Sequence, residues 1–137
     1  MTDALLLDTC CVLWLADDAE ITAEAEKEIQ EAFDQGSPVY ISPITAWEVG
    51  LMSAKGRLKL PTEPQRWLEQ FMRVGVQYCD MSARILIQST TLPNCAGQDP
   101  ADRIIIATAR EYGYRIVTRD RNIVRYAKEG YVRAVVC

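Results

Sequence analysis

Four carboxylates, Asp8, Glu48, Asp102 and Asp120, sit where the surrounding sequence gives each a reason to be more than solvated charge. Asp8 follows the apolar run 4–7 (ALLL), and Asp120 follows the run 114–118 (YRIVT) after one arginine. Both runs read as buried strands. Functional groups of open α/β sheets collect at the carboxyl ends of such strands. Asp102 falls in the first turn of the helix expected from QDPADRIIIATA, whose run 104–107 is apolar on nearly every side and therefore buried. Glu48 shares a helix face with Ile44, Trp47 and Leu51 at about 100° per residue, so it lies inside an apolar stripe. Carboxylates gathered in one pocket repel by about a few kcal/mol per close pair at an effective dielectric of ~20. They either take up protons or hold a hard divalent cation. Ligation by oxygen alone favours magnesium or manganese. Such a site binds phosphate esters, the metal acting as Lewis acid and as activator of water.

Each position also has a plainer use. Asp99 suits the N-cap of the 100–109 helix, with Pro100 at the first helical position and Asp102 three residues on, as in a capping box. Asp8 suits the N-cap of the helix expected from residue 11 onward. Glu48 can snorkel to water from the edge of its helix.

The composition narrows the chemistry further. There is no histidine, which excludes Ser-His-Asp and Cys-His catalysis and imidazole-driven cleavage of RNA. A hydrolase built from this chain leans on carboxylates, and near neutral pH that implies a bound metal. The five cysteines form no C-x-x-C pair, so zinc is not expected and reduced thiols are. The net charge of −4 disfavours non-specific nucleic-acid binding unless charge is segregated or a cation bridges. The 137 residues suit one domain spanning 1–137. No apolar run reaches the ~18 residues needed to cross a membrane, and MTDALLLD lacks a basic leader, so a cytoplasmic protein is expected.

Short apolar strands alternating with helices must position these acids. Strands are expected at 4–7, 38–41, 76–79, 114–118 and 132–136. Helices are expected at 22–35, 44–54, 61–75, 82–91 and 121–128, besides those after Asp8 and Asp99. A loop is expected over 92–98. That order predicts a three-layer α/β/α domain with a mostly parallel central sheet. If the strand ends lie side by side, the four acids converge. Thr9, Ser42 and Thr118 are then hydroxyls able to position water or phosphate, and Arg103, Arg119, Arg121, Lys55 and Arg57 are cations able to meet phosphates.

The segments LLLDTCCVLWL, ISPITAWEVGLMSAKGRLKLP, DPADRIIIATA and IVTRD, in this order, resemble the PIN-domain ribonucleases, specifically the VapC-type toxins of toxin–antitoxin pairs. The resemblance spans nearly the whole chain. It implies a PIN fold, a magnesium- or manganese-dependent endoribonuclease acting on RNA, and a cognate antitoxin. By motif, Asp8, Glu48, Asp102 and Asp120 match the family's acidic set, as catalytic residues and metal ligands. Asp99 matches an additional acid, with Thr9 and Thr118 as auxiliaries. The chain departs from close relatives at Cys10 and at 96–98, where those often carry histidine. Two other readings compete. One is a non-catalytic interaction module on the same fold. The other is a phosphatase of the haloacid dehalogenase type, which needs an aspartate where Cys10 stands. The apolar surface around Trp67 and Phe71 suggests a homodimer.

Overall fold

The computed structural model describes residues 4–95 and 99–137. The expectations that fall on Gln98 and on the end of the 92–98 loop lie outside them. In chain order the elements are β1 (Leu5–Leu7), α1 (Thr9–Ala16), α2 (Ala23–Asp34), β2 (Val39–Ile41), α3 (Pro43–Ala54) and α4 (Pro64–Met72). There follow β3 (Gln77–Tyr78), α5 (Ala83–Gln88), α6 (Pro100–Tyr112), β4 (Arg115–Thr118), α7 (Arg121–Lys128) and β5 (Arg133–Val136). The five strands form one sheet in the order β3-β2-β1-β4-β5, and every pairing is parallel.

Strand alternation divides the core into two layers. Leu5 and Leu7 of β1, with Val39, Ile41, Val117 and Val135, pack towards α1, α2 and α4. Leu6 and Ile116 point the other way, into Ile85 of α5, Ile104 to Ile106 of α6 and Ile123 and Tyr126 of α7. The three-layer arrangement follows, with the sheet wholly parallel. Parallel strands need crossover helices, and those helices cover both faces.

The differences from the sequence reading have local causes. The α4 helix starts at Pro64, since proline suits the first turn, and Thr62 stays in the preceding loop. The α5 helix ends at Gln88 where a helix through Thr91 was expected; after Gln88 the Ser89 and Thr90 hydroxyls donate to the carbonyls of Leu86 and Ile87. The largest difference concerns α3. Its buried residues are Thr45 and Val49, whereas Trp47 is 58% exposed. The helix touches α1, α4 and α6, so its inward side is set by packing between two layers, not by its most apolar stripe. Glu48 is therefore half-buried beside the core and not embedded in it.

All five cysteines are free. Cys11 and Cys137 are buried with their sulfurs 3.6 Å apart. No helix among the described residues is long and apolar enough to cross a membrane.

Candidate active site

Strand order decides where a site can form. The chain runs from β1 to its neighbour β2, out to the edge at β3, and returns on the opposite side of β1 as β4. The β1/β4 pair is thus the topological switch point, where the connections leave a crevice beyond the carboxyl ends. Asp8 lies just past β1, and Asp120 two residues past β4.

Threonine hydroxyls tie these acids together. The Thr118 hydroxyl, fully buried, donates to Asp8 Oδ2 at 2.8 Å and accepts the Asp120 N–H at 3.0 Å. Asp8 Oδ1 accepts the Thr9 N–H at 2.8 Å, capping α1. The Thr9 hydroxyl donates to Glu48 Oε1 at 2.5 Å and lies 2.9 Å from the Thr45 hydroxyl. Thr9 has a single hydroxyl proton, so Thr45 donates to Thr9 while Glu48 takes the Thr9 proton. An unbroken chain runs Glu48–Thr9–Asp8–Thr118–Asp120. Thr45, three residues before Glu48, was not singled out in the sequence; a hydroxyl one helical turn before a half-buried acid is the signal that marks it.

Capping and chemistry prove compatible here. Asp99 caps α6 by accepting the Asp102 N–H at 2.8 Å, and Asp120 caps α7 by accepting the N–H groups of Asn122 and Ile123. Each of these two caps uses Oδ1 and leaves the second oxygen for other work.

Electrostatics shows that the acids face a common space. Asp102 is pushed up to about 8, first by burial and then by Asp99, Asp8, Asp120 and Glu48. Burial likewise raises Asp8, with Asp120 and Asp99 adding to it, while the hydrogen bonds from Thr118 and Thr9 pull it back. Glu48 is raised by burial, held back by Thr9, and raised further by Asp99 and Asp8. The Cys10 thiol is pushed up to about 11 by partial burial and then by Asp8, Glu48, Asp102 and Asp120. Among the described residues no lysine or arginine forms an ion pair with any of these five acids.

The donor set fits a hard divalent cation in its chemistry: oxygen ligands, excess negative charge, no competing cation. It is not a preformed cage. Among the described residues no three of these acids stand close enough together to hold an ion. Thr9 and Thr118 lie between Asp8, Glu48 and Asp120.

Two of the arginines expected to meet phosphate already donate to backbone carbonyls. Arg103 donates through Nε to the Ser89 carbonyl and through Nη1 to the Cys95 carbonyl, strapping the loop between α5 and α6. Arg119 donates to the Cys137 and Glu20 carbonyls, and its guanidinium stacks 3.6 Å above the Trp14 ring. Lys55 and Arg57 lie exposed just past the end of α3, and Arg121 is exposed at the start of α7. Ser42 caps α3 and is fully buried, so its hydroxyl is used up in the fold.

The PIN domain model matches residues 5–129, nearly the whole chain. The chain belongs to the PIN-domain family. It is 28% identical over 123 residues to "Ribonuclease VapC22" of Mycobacterium tuberculosis, covering 90% of this chain and 91% of that protein. Among solved structures it is similar to a chain in VapBC2 from Rickettsia felis bound to a promoter DNA fragment, with TM-score 0.70 and 15% identity. That match covers 96% of this chain and 97% of the other. A second match is a chain in DNA-bound VapBC from Salmonella typhimurium, with TM-score 0.67, 18% identity and 98% of each chain covered. At these identities the structural matches bear on the fold, which is the PIN fold.

One substitution tests the threonine bridge directly. Thr118→Val removes a buried hydroxyl that serves Asp8 and the Asp120 N–H at once. It is expected to cost about 2–4 kcal/mol in denaturant unfolding, since two buried polar groups lose their partner. Thr118→Ser should recover most of that loss.

Proposed function

We propose that this PIN-domain protein is an endoribonuclease, the toxin of a toxin–antitoxin pair, which hydrolyses RNA phosphodiester bonds with the help of magnesium or manganese. The observation that carries this reading is the gathering of five carboxylates about the β1/β4 switch point, three of them (Asp8, Glu48 and Asp102) raised by burial and by their acidic neighbours, with no ion pair to a lysine or arginine among the described residues. The likeness to Ribonuclease VapC22 over nine-tenths of both chains supports ribonuclease as the activity. Asp8 and Asp102 are the principal residues to hold the ion, with Glu48 and Asp120 completing the set and Asp99 supplementing it. When bound, the ion supplies Lewis-acid polarisation of the phosphate ester and lowers the pKa of water. The chain's own part is positional. Thr9 orients Glu48 and Thr118 orients Asp8, so that neither carboxylate must reorganise as charge develops. Lys55 and Arg57 are exposed cations able to meet RNA phosphates, whereas Arg103 and Arg119 also donate to backbone carbonyls.

The complexes from Rickettsia felis and Salmonella typhimurium support a cognate antitoxin as partner. An apolar groove of 580 Å³ between α1, α2 and α4, lined by residues such as Leu15, Phe33, Trp67 and Phe71, offers surface for that partner or for a second copy of the chain. A non-catalytic interaction module would have no use for acids such as Asp8, Glu48 and Asp102, whose burial beside other carboxylates costs stability.

Purified protein incubated with RNA and magnesium or manganese should cut internally, and excess chelator should abolish the cutting. RNA left intact at every divalent concentration, or cut equally under chelation, would sink the proposal.

A further inference from the structure

A tryptophan lies with its indole largely in solvent immediately beside the acidic crevice. Trp47 is 58% exposed on α3, next to Glu48. Large exposed aromatics are costly, and singly they need no explanation. Trp47 is not isolated. With Leu51 and Met52 it forms one wall of a 260 Å³ hollow whose other wall is Pro100 and Ala101 of α6. Glu48 and Asp99 line the same hollow, and both belong to the coupled acid set. The pocket is mainly apolar, open to solvent, and continuous with the acid cluster. Just past the end of α3, the exposed Lys55 and Arg57 begin a basic stretch.

These features suit a flat aromatic ligand attached to a phosphate. Every nucleobase has a π-face that an indole can stack on, whatever its hydrogen-bonding edge. Sequence-tolerant recognition of single-stranded RNA joins such stacking platforms to cations that track the backbone. We infer that Trp47 is the stacking platform for one unpaired base adjoining the scissile phosphate, with the hollow between α3 and α6 receiving that base. This inference rests on the ribonuclease reading of the site. Trp47 then acts on binding and on the choice of bond, by seating the flanking base so that one phosphate faces Asp8 and Asp102. The carboxylate of Asp99, at the same hollow, adds an acceptor for a donor edge of the seated base.

The test is a cycle between protein and substrate. Trp47→Ala and Trp47→Phe are compared with the natural chain on a short oligoribonucleotide cut at one bond, and on versions carrying a single abasic residue at each flanking position. Trp47→Ala is expected to lower kcat/KM by about 5- to 100-fold, the range that loss of one base stack gives. Trp47→Phe should restore most of it, and melting temperatures should be unchanged because the ring is exposed. At one flanking position the abasic substitution should cost the natural protein a similar factor and cost Trp47→Ala almost nothing more. Full RNA cleavage by Trp47→Ala, or abasic losses that multiply with it at every position, overturns the inference. Full cleavage with weakened antitoxin binding also overturns it and makes this face a protein contact. Should the natural protein cut no RNA, the ribonuclease reading fails on its own. Quenching of indole fluorescence by the uncut oligonucleotide, present in the natural chain and lost in Trp47→Phe, then still decides whether the base seat exists.

Discussion

Asp8→Asn is expected to lower divalent-dependent RNA cleavage by about 10³-fold or more while leaving the protein folded. Asparagine keeps the size and the acceptor oxygen of aspartate, so the cap on the Thr9 N–H survives. The charge is what disappears, along with one anionic oxygen that Thr118 holds in place. Loss of a carboxylate that both attracts a cation and is pre-oriented removes stabilisation available only in the transition state, and about 4 kcal/mol corresponds to a thousandfold. Stability should move the other way. Burial raises the pKa of Asp8, so its ionised form destabilises the native state, and a neutral amide lifts that cost. The melting temperature of the variant, measured without divalent ions above pH 7, should equal or exceed that of the natural chain. Cleavage retained within tenfold would show that Asp8 is only a helix cap, as its hydrogen bond to Thr9 alone would allow.

What could be seen in the sequence was what depends on neighbours along the chain. Asp8 and Asp120 follow apolar runs, and where such a buried run ends the polar residues beyond it reach a crevice. The α6 helix was legible because its cap, its proline and its solid apolar run all fall within residues 99–107. The site's internal order was not legible, because it joins residues far apart: Thr9 to Glu48 across 39 positions, Thr118 to Asp8 across 110. The engagements of the arginines were hidden for the same reason. Arg103 and Arg119 look like phosphate contacts by proximity to the acids, and the sequence gives no sign that each also donates to carbonyls of separate segments. Glu48 shows a third limit. Periodicity placed it in an apolar stripe with Trp47, but a helix wedged between two layers buries the side its neighbours demand, here Thr45 and Val49. The exposed tryptophan that results is the feature on which the base seat depends.

The cost of burying Asp102 among other carboxylates should also be visible without any substrate. Asp102 sits at about 8 in the fold against 3.8 for an ordinary aspartate. The native state therefore binds more protons than the unfolded chain between those values, and stability falls as pH rises through that window. Above pH 8 the full cost is present; below pH 4 it is absent. Asp102→Asn should remove it. Because Asp102 is partly open to solvent, which screens its neighbours, the expected gain at pH 9 is about 1–2 kcal/mol, or a few degrees in melting temperature, with little gain at pH 4. A divalent ion should act on the natural chain in the same sense. Magnesium or manganese should raise its melting temperature by mass action, and more at pH 8 than at pH 6, because protons compete for the same carboxylates. Asp102→Asn should lose most of that response while being the more stable protein in its absence. A site kept for function is recognised by this inversion: the substitution that relieves the fold is the one that disables it. Stability of the natural chain that is flat from pH 5 to pH 9 and indifferent to divalent ions would mean that the acids are not close enough to need one.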